Sequence, residues 1–592
     1  MGEFSKKFRP GEFVFVVDMG DLFGYWVDDE WIQRVIEHVS KFPKTEFLFL
    51  TKNPRRYLSF DFPKNAWLGA TIETDLDNIY KSNNISRAPP PSERIKAMKE
   101  LDWDKKFISI EPILLFSRKF PEHILEINPK IVYVGYDNYG NRLPEPTKDV
   151  AEWLIKKLEQ ANIRYVIRKT IRLAWYEDSR GVEFEEPLCA FFNILHLSTV
   201  WVNDEPYNLL DYAKLLIGNS RKVTKKFPTE NPGTIFKLFF VWRYMNFPYI
   251  DYMRGLKRKI LKIKENAQIY YIDLFSGSGI SEVKIEDKKY YLPGSALFPL
   301  LAQQKLIRQN KDLIFDKIIL NDLDEVTFNY LKHNVKMTLE LLGLEDLYQI
   351  RICKNEAICE RVLKEVLSDV DSRYILICNL DANNLAKIIV NILKEVTNEK
   401  NFGFHALTFI DPSSPYQFYR DALKSILSIP SDVLMLAHIP MTDELFWKWR
   451  GITDSSRREQ LLERVKKTLG ETKFKQVYSE IKRPSEAYKE MLEEVAMESK
   501  ILFLNEARIP IPISIKTEKK EYFVYAFIRS GLWAKYKSLT EKSKTKKLPS
   551  KIQWISFLIR QKKIFSRASM IGKHVQKMLE GKYISLTGRI CM

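Results

Sequence analysis

The sequence predicts an α/β protein with two large modules, each built on a mainly parallel sheet, and a small basic tail. Short apolar runs without polar alternation are separated by amphipathic helical stretches, as in parallel sheets covered by helices. The length of 592 residues exceeds one ordinary domain. The hydrophobic share of 45% and the aromatic share of 13% can fill several cores, which excludes wholesale disorder.

Residues 1–178 form the first predicted module. Six βα repeats predict a parallel sheet or a partial (βα) barrel. Polar residues at the strand ends have two readings, since they either line the mouth of the barrel or serve as caps and surface ion pairs. They are Asp18, Asp21, Lys52, Glu73, Glu111 and Asp137. The strands are predicted at Phe13–Met19, Glu46–Leu50, Ala66–Thr71, Phe107–Ile110, Ile131–Gly135 and Arg164–Arg168, with helices at Asp29–Ser40, Ser92–Lys99 and Val150–Gln160.

The second predicted module spans residues 234–540 and follows a connector at 179–233. A charged, helix-periodic insertion is predicted at 441–500. The segment Lys237–Tyr249 interleaves basic and aromatic residues, so it either belongs to the core or stacks nucleic-acid bases. The strands are predicted at Ile269–Leu274, Lys317–Leu320, Ile375–Leu380, Ala406–Ile410, Val433–Ala437, Ile501–Leu504 and Tyr522–Ile528, with a hairpin at Val283–Tyr291.

A glycine loop and three further strand-end motifs carry the chemistry of this module. The loop, Asp273-Leu274-Phe275-Ser276-Gly277-Ser278-Gly279, directly follows an apolar strand, so its backbone can approach a ligand closely. Acids follow the next strands in the segments Asn321–Asp324, Leu380–Asn383 and Phe409–Tyr416. Acids at four strand ends are expected to ring one crevice, where open α/β sheets bind ligands.

These motifs resemble class I S-adenosylmethionine-dependent methyltransferases, and the resemblance implies a Rossmann-like fold and roles for individual residues. The loop is similar to motif I, so Asp273, Phe275, Gly277 and Gly279 would bind the cofactor. Asp322 would accept hydrogen bonds from the ribose hydroxyls, and Asp381 would contact the adenine amine.

Asp411-Pro412 resembles motif IV of the same enzymes, which reads D-P-P-Y in those that methylate amines. Here Ser413-Ser414 separates Asp411-Pro412 from Pro415-Tyr416. The predicted catalytic residues are Asp411, Pro412 and Tyr416, and the alternative is that Asp411 only caps a turn.

Each of the two modules resembles one of two related families. Residues 235–540 are similar to the three-Cys-motif partner proteins, which share the Tyr271–Gly279 loop, Gly294-Ser295, Asn321–Asp324 and Phe409–Pro412. The first module resembles a truncated, phage-type, radical-SAM-like three-Cys-motif protein in Val14–Phe23, Leu50–Pro54, Trp67–Glu73 and Ser109–Pro112. The sequence has no CxxxCxxC motif, so we predict no iron–sulfur cluster in this chain. Either a separate three-cysteine polypeptide supplies one, or the module is a scaffold.

The five cysteines, Cys189, Cys353, Cys359, Cys378 and Cys591, contain no CxxC pair. Cys353 and Cys359 lie six apart in a predicted strand-to-helix passage, a spacing that fits neither a zinc ribbon nor an iron–sulfur loop. We interpret the cysteines as reduced thiols that mostly fill the core. The sequence also lacks a phosphate-binding GxxxxGK[ST] loop, a GxSxG elbow and an HxxxH pair.

The charge of the chain is concentrated at its C-terminus. The formal net charge is +18, and residues 541–592 hold 13 basic residues and 2 acids. Such a region suits a polyanion, although a solvated tail is the alternative. A helix–helix–strand pattern there predicts a winged helix or a helical hairpin. The residues predicted to bind nucleic acid are Arg567, Lys573, Lys577, Lys582 and Arg589.

Together these patterns predict a cytoplasmic nucleic-acid-binding protein with an S-adenosylmethionine-dependent methyltransferase-type domain, with DNA favoured over RNA. No run of 18 apolar residues or secretion signal is present, so no membrane partner is expected. Two alternatives stay open: a non-catalytic nucleic-acid-binding adaptor that retains degenerate enzyme folds, and a DNA repair or processing nuclease that holds metal in the acidic crevice.

Overall fold

The computed structural model forms two compact units, which are described separately below. It describes residues 2–17, 19–82, 84–141, 143–161, 163–175, 177, 199–219, 229–230, 233–285, 288–399, 402–516, 521–542, 552, 555, 556, 558 and 559.

The first unit contains a half-barrel sheet of six parallel strands in the order β1-β2-β3-β4-β5-β6. Every residue of β3 and β4 is buried, whereas the edge strands β1 and β6 are largely exposed. This explains why the central strands are mostly apolar, with few polar residues such as Lys106 and Ser109. The strands are β1 (Phe13–Val16), β2 (Glu46–Thr51), β3 (Ala66–Thr71), β4 (Lys106–Ile110), β5 (Ile131–Val134) and β6 (Tyr165–Arg168), and the helices are α1 (Asp29–Ser40), α2 (Asp77–Ser82), α3 (Pro91–Glu100), α4 (Phe120–Ile127) and α5 (Lys148–Gln160).

The second unit is built on an eight-stranded sheet in the order β14-β15-β13-β10-β16-β17-β19-β18. All neighbouring strands are parallel except β19, which runs antiparallel to both of its neighbours. The strands are β10 (Asn266–Asp273), β13 (Lys317–Asn321), β14 (Gln349–Cys353), β15 (Tyr374–Cys378), β16 (Phe402–Ile410), β17 (Ser431–Ala437), β18 (Arg508–Lys516) and β19 (Glu521–Arg529).

The chain path through this sheet reverses at β10. From β10 the chain builds β13, β14 and β15 on one side, then crosses to the other side of β10 to form β16 and β17. In open α/β sheets, such a reversal opens a ligand-binding crevice at the carboxyl ends of the strands. The fold therefore directs attention to the ends of β10 and β16.

Helices and two small sheets complete the second unit. A two-stranded sheet pairs β7 (Val200–Val202) with β8 (Glu205–Tyr207), and a three-stranded sheet joins β9 (Thr229–Glu230), β11 (Ile280–Ile285) and β12 (Lys288–Pro293). The helices are α6 (Leu209–Asn219), α7 (Gly233–Tyr244), α8 (Ile250–Ile260), α9 (Phe298–Arg308), α10 (Glu325–Leu342), α11 (Glu356–Ser368), α12 (Ala382–Glu399), α13 (Arg420–Leu427), α14 (Ile439–Arg450), α15 (Ser455–Leu469), α16 (Glu471–Tyr478), α17 (Pro484–Glu498) and α18 (Ser530–Lys542).

Most predicted elements are confirmed within a few residues, including the hairpin and the helices of the insertion. The predicted strand Ile501–Leu504 is wrong, because these residues form turns in which Leu504 is exposed. The true strand, β18, carries Pro510 and Pro512, which argue against a strand inside a sheet but are tolerated at an edge. The edge strand β14 was also missed as a separate strand, because polar Gln349 and Arg351 interrupt its apolar pattern.

None of the helices in the described ranges combines the length and the hydrophobicity that a membrane span requires. The predicted winged-helix-like tail lies almost wholly outside the described residues. Its few described positions, between 552 and 559, are helical, in agreement with the helix predicted there.

Candidate functional site

Four acids lie at the carboxyl ends of adjacent parallel strands in the eight-stranded sheet. Asp273 is the last residue of β10, and Asp322 and Asp411 directly follow β13 and β16. Asp381 lies three residues beyond the end of β15. Because these four strands are parallel neighbours, the sheet brings the predicted acids to one edge, at the reversal of strand order.

The glycine loop is bonded directly to one of these acids. The backbone N–H of Gly277 donates to Asp322 Oδ2 at 3.1 Å. Gly277 has φ +60°, a left-handed conformation that favours glycine, and a Cβ at this position would meet nothing within 4 Å. The space next to the Gly277 Cα is therefore open.

Asn321 holds the strand ends around the loop in place. Its side chain is fully buried, and Nδ2 donates to the carbonyl oxygens of Leu274 and Leu380 at 3.1 and 3.0 Å. Its Oδ1 accepts the N–H of Leu380 at 3.1 Å. One amide thus links the loops that follow β10, β13 and β15. No sequence motif predicts a role for Asn321 itself, and its only signal is its position directly before a strand-end acid.

Asp273 is fully buried beneath the loop. Ser295 Oγ donates to its Oδ2 at 2.6 Å, and the N–H of Phe275 donates to its Oδ1 at 3.2 Å. Burial raises the pKa of Asp273 to about 7, opposed by these hydrogen bonds and assisted by the negative charges of Asp411 and Asp322. The predicted contact residue Phe275 is half-buried and packs edge-on against Phe418.

Asp322 and Asp381 differ in their surroundings. Burial raises the pKa of Asp322, while hydrogen bonds from the N–H groups of Asp324 and Gly277 lower it. Asp381 Oδ1 accepts the N–H groups of Asn383 and Asn384 at 2.9 and 3.3 Å, so it caps α12. The capping role of Asp381 is structural, and its predicted adenine contact stays a prediction.

Asp411 forms an ion pair that the sequence analysis did not foresee. Lys237 Nζ lies 2.6 Å from Asp411 Oδ2, and both side chains are mostly buried. Lys237 belongs to α7. Five aromatic residues of the Lys237–Tyr249 segment are buried, so they belong to the core and do not stack bases: Phe239, Phe240, Trp242, Tyr244 and Tyr249. The only sequence signal for the pair was one lysine within an apolar helix.

Of the remaining motif IV residues, Pro412 lies beside a histidine and Tyr416 lies away from the crevice. His438 Nε2 is 2.7 Å from the carbonyl oxygen of Pro412. The side chain of Tyr416 is buried in the core, and its hydroxyl donates to the carbonyl of Thr442 at 3.0 Å, so its predicted catalytic role stays a prediction. The two inserted serines displace Tyr416 from the end of β16, and Ser413 instead binds Gln417 Oε1.

The strand-end residues of the first unit form ion pairs and hydrogen bonds with one another and with nearby side chains and loops. Fully buried Glu73 lies 2.6 Å from Lys52 Nζ and 2.8 Å from Nη1 of fully buried Arg94. Further contacts include those of Asp21 with Thr51 Oγ1 and the N–H of Lys52, Glu111 with Lys169, and Asp137 with the N–H groups of Tyr139 and Asn141. These contacts hold the strand ends together, although the Glu73–Arg94 pair is fully buried and is not one of the surface ion pairs expected from the sequence. Asp18 lies outside the described residues.

The predicted nucleic-acid-binding residues Arg567, Lys573, Lys577, Lys582 and Arg589 also lie outside the described residues.

Comparison with known proteins gives one family match: residues 4–121 match a family described as a protein of unknown function (DUF5131). No curated protein matches the chain.

Proposed function

We propose that the second unit binds S-adenosylmethionine in the crevice at the carboxyl edge of the eight-stranded sheet, and that the protein methylates nucleic acid. One observation carries the proposal: the hydrogen bond between the Gly277 N–H and the Asp322 carboxylate, beneath open space at the reversal of strand order. This hydrogen bond joins a backbone segment that a ligand can approach closely to an acid that can accept hydrogen bonds from ribose hydroxyls.

The strand order supports a Rossmann-like, class I methyltransferase-type fold. The central β10 is flanked by parallel strands on both sides, in the order β13-β15-β14 on one side and β16-β17 on the other, and antiparallel β19 lies between β17 and β18. Apart from the additional edge strand β14, this arrangement is typical of class I methyltransferases, which the sequence motifs also resemble.

The charge of the crevice favours an adenosyl sulfonium over a nucleotide phosphate. Asp273, Asp322 and Asp411 are close enough for the charges of the latter two to raise the pKa of the first. Such a site repels phosphate groups but suits hydroxyl donors and a cation. Leu323, directly after Asp322, is 62% exposed and offers an apolar surface to a purine ring.

Asp411 and Pro412 lie where an acceptor base would approach. S-adenosylmethionine supplies an electrophilic methyl group when bound. Asp411 would orient an amine of the acceptor by accepting its N–H, while Lys237 Nζ lies 2.6 Å from the Oδ2 atom of the same carboxylate. The main contribution of the protein to such a transfer is positioning.

We propose that an acceptor base within a duplex is flipped out of the stack. The basic tail would bind the nucleic-acid backbone, with DNA favoured over RNA, through Arg567, Lys573, Lys577, Lys582 and Arg589.

A methyl-transfer assay tests the activity. The full chain is incubated with S-adenosylmethionine carrying a radiolabelled methyl group and with mixed-sequence DNA or RNA, and the label in nucleic acid is counted. We expect transfer to DNA, with at least a hundredfold loss in Asp411→Asn and no loss in Asp371→Asn, an exposed acid just before β15 at the opposite edge. Transfer that is unchanged in Asp411→Asn would contradict the role of Asp411.

The Lys237–Asp411 ion pair supports a second candidate function, a non-catalytic nucleic-acid-binding adaptor. In that case Lys237 neutralises the acceptor carboxylate permanently, and burial of Tyr416 reflects a site that has lost its chemistry. Salt-dependent binding of DNA by the wild type, with no label transferred to DNA or RNA and no S-adenosylmethionine bound, would favour the adaptor.

A further inference from the structure

Three cysteines that are distant from a metal-binding motif in sequence form one group in the structure. Cys353 ends β14, Cys378 ends β15, and the two are register partners on these parallel strands. Cys359 lies in the first turn of α11. All three are fully buried, and their sulfur atoms lie within 4.8 Å of one another.

We propose that Cys353, Cys359 and Cys378 bind one thiophilic metal ion, Zn²⁺ or Cu⁺, through three thiolates. This site is separate from the crevice and does not depend on the proposed methyltransferase function. Binding breaks three S–H bonds, forms three metal–sulfur bonds and releases three protons to solvent, with no change in oxidation state.

The spacing of the sulfur atoms fits a single ion. With metal–sulfur bonds of about 2.3 Å, three thiolates around one ion lie about 4.0 Å apart. The Cys359 and Cys378 sulfur atoms are 3.9 Å apart, and the third lies within the same 4.8 Å limit. A disulfide bond, at about 2.05 Å, is far shorter, so the thiols are free. Thiolates on separate irons of a cluster would also need to lie further apart than thiolates on one ion.

The donor set selects a soft ion. All three ligand atoms in the group are sulfur, and thiolates favour Cu⁺ and Zn²⁺ over hard cations such as Mg²⁺ and Ca²⁺. Zn²⁺ leaves less net negative charge in the core than Cu⁺ does. Among the described residues no fourth His, Cys or carboxylate joins the group, which suits the lower coordination of Cu⁺.

The position of Cys359 favours a thiolate. This residue lies at the N-terminal end of α11, where the helix dipole stabilises negative charge. A positive ion would hold all three sulfurs in the ionised form.

The thiol group is linked by backbone bonds to the Asp322 loop. The N–H of Asp322 donates to the carbonyl of Cys378 at 3.2 Å, and Asn379 Nδ2 donates to the carbonyls of Asp322 and Leu323 at 2.8 and 2.9 Å. The N–H of Asn379 donates to the carbonyl of Cys353 at 2.9 Å. A bound ion would therefore stiffen the strand ends that carry Asp322.

Metal titration of the full chain under reducing, anaerobic conditions tests the proposal. The apo protein is titrated separately with Zn²⁺ and with Cu⁺, metal per chain is measured after desalting, and thiolate-to-metal absorption is recorded for Cu⁺. We expect one equivalent of at least one ion to be retained, an affinity that rises with pH, and a higher melting temperature.

Variants separate ligation from packing. Cys359→Ser and Cys359→Ala should reduce affinity at least a hundredfold. Val366→Ala removes a fully buried side chain from the same helix and should leave metal binding within twofold of the wild type. If neither ion binds the wild type stoichiometrically, or if Cys359→Ser binds as tightly as the wild type, the proposal is overturned and the thiols are core residues.

Discussion

The carboxyl edges of the two parallel sheets both carry acids, but their charges are balanced differently. In the first unit, Glu73 lies between Lys52 and Arg94, so the buried carboxylate is held by two cations. In the second unit, Asp273 is equally buried, its direct partners are a hydroxyl and an N–H group, and Asp322 and Asp411 lie nearby.

This difference indicates which edge is the better candidate for a ligand site. A buried acid that is paired with cations is a structural element. Asp273 instead holds an electrostatic cost that a cationic ligand would relieve, because burial and the negative charges of Asp411 and Asp322 raise its pKa. A similar pattern of strand-end acids in sequence thus has a structural outcome in one unit and a candidate binding site in the other.

The largest expected effect comes from breaking the ion pairs of the first unit. Glu73→Gln leaves Arg94 buried without a countercharge, so we expect the free energy of unfolding of this unit to fall by about 3–5 kcal/mol. Urea-dependent hydrogen exchange of β3 peptides measures it in the full chain. Glu152→Gln removes a partly exposed partner of Arg168 and should cost less than about 1 kcal/mol. Equal effects of the two changes would contradict the comparison.

A pH series examines the second unit through Asp273. Its folded pKa, about 7, lies above the value of 3.8 for an unperturbed Asp, so the folded state keeps a proton that the unfolded state loses. Stability should therefore fall as pH rises from about 4 to about 7, by up to about 4 kcal/mol. Asp273→Asn should remove this decline, whereas Asp371→Asn should follow the wild type. Hydrogen exchange of β10 peptides gives the result, and parallel curves for wild type and Asp273→Asn would disprove it.

The smallest expected change in stability comes from substituting a glycine of the loop, and a matched glycine in the first unit separates backbone strain from ligand binding. Gly277→Ala places a Cβ on a left-handed residue and should cost about 1–2 kcal/mol. Gly140→Ala, in the first unit, has the same open surroundings and a φ of +69°, so it should cost as much. Only Gly277→Ala should also weaken S-adenosylmethionine binding, by at least tenfold. Equal binding in the two variants would mean that the ligand does not approach Gly277.

The central strands and the strand-end acids could be predicted because their signals are local. Residues buried on both faces of a sheet read as continuous apolar runs, and the last residues of neighbouring parallel strands necessarily meet at one edge. The edge strand β18 escaped prediction because its prolines imitate a loop, and only its position at the edge makes them harmless.

Long-range pairings could not be predicted from the pattern. Lys237 precedes Asp411 by more than 170 residues, and Cys378 joins Cys353 and Cys359 only because β14 and β15 are neighbours in the sheet. The spacing rules for metal sites assume ligands on short loops. They therefore could not identify three thiols that the register of neighbouring strands brings together. Tyr416 lies two positions later than the tyrosine of the D-P-P-Y motif, and its side chain is buried in the core.

Isothermal titration calorimetry with S-adenosylmethionine tests the central claim most directly. The account predicts one binding site in the wild type and in Asp371→Asn, and at least a hundredfold weaker binding in Asp322→Asn, which loses the charge and one hydrogen-bond acceptor while its shape is kept. Absence of binding to the wild type, or equal affinity in Asp322→Asn, would contradict it.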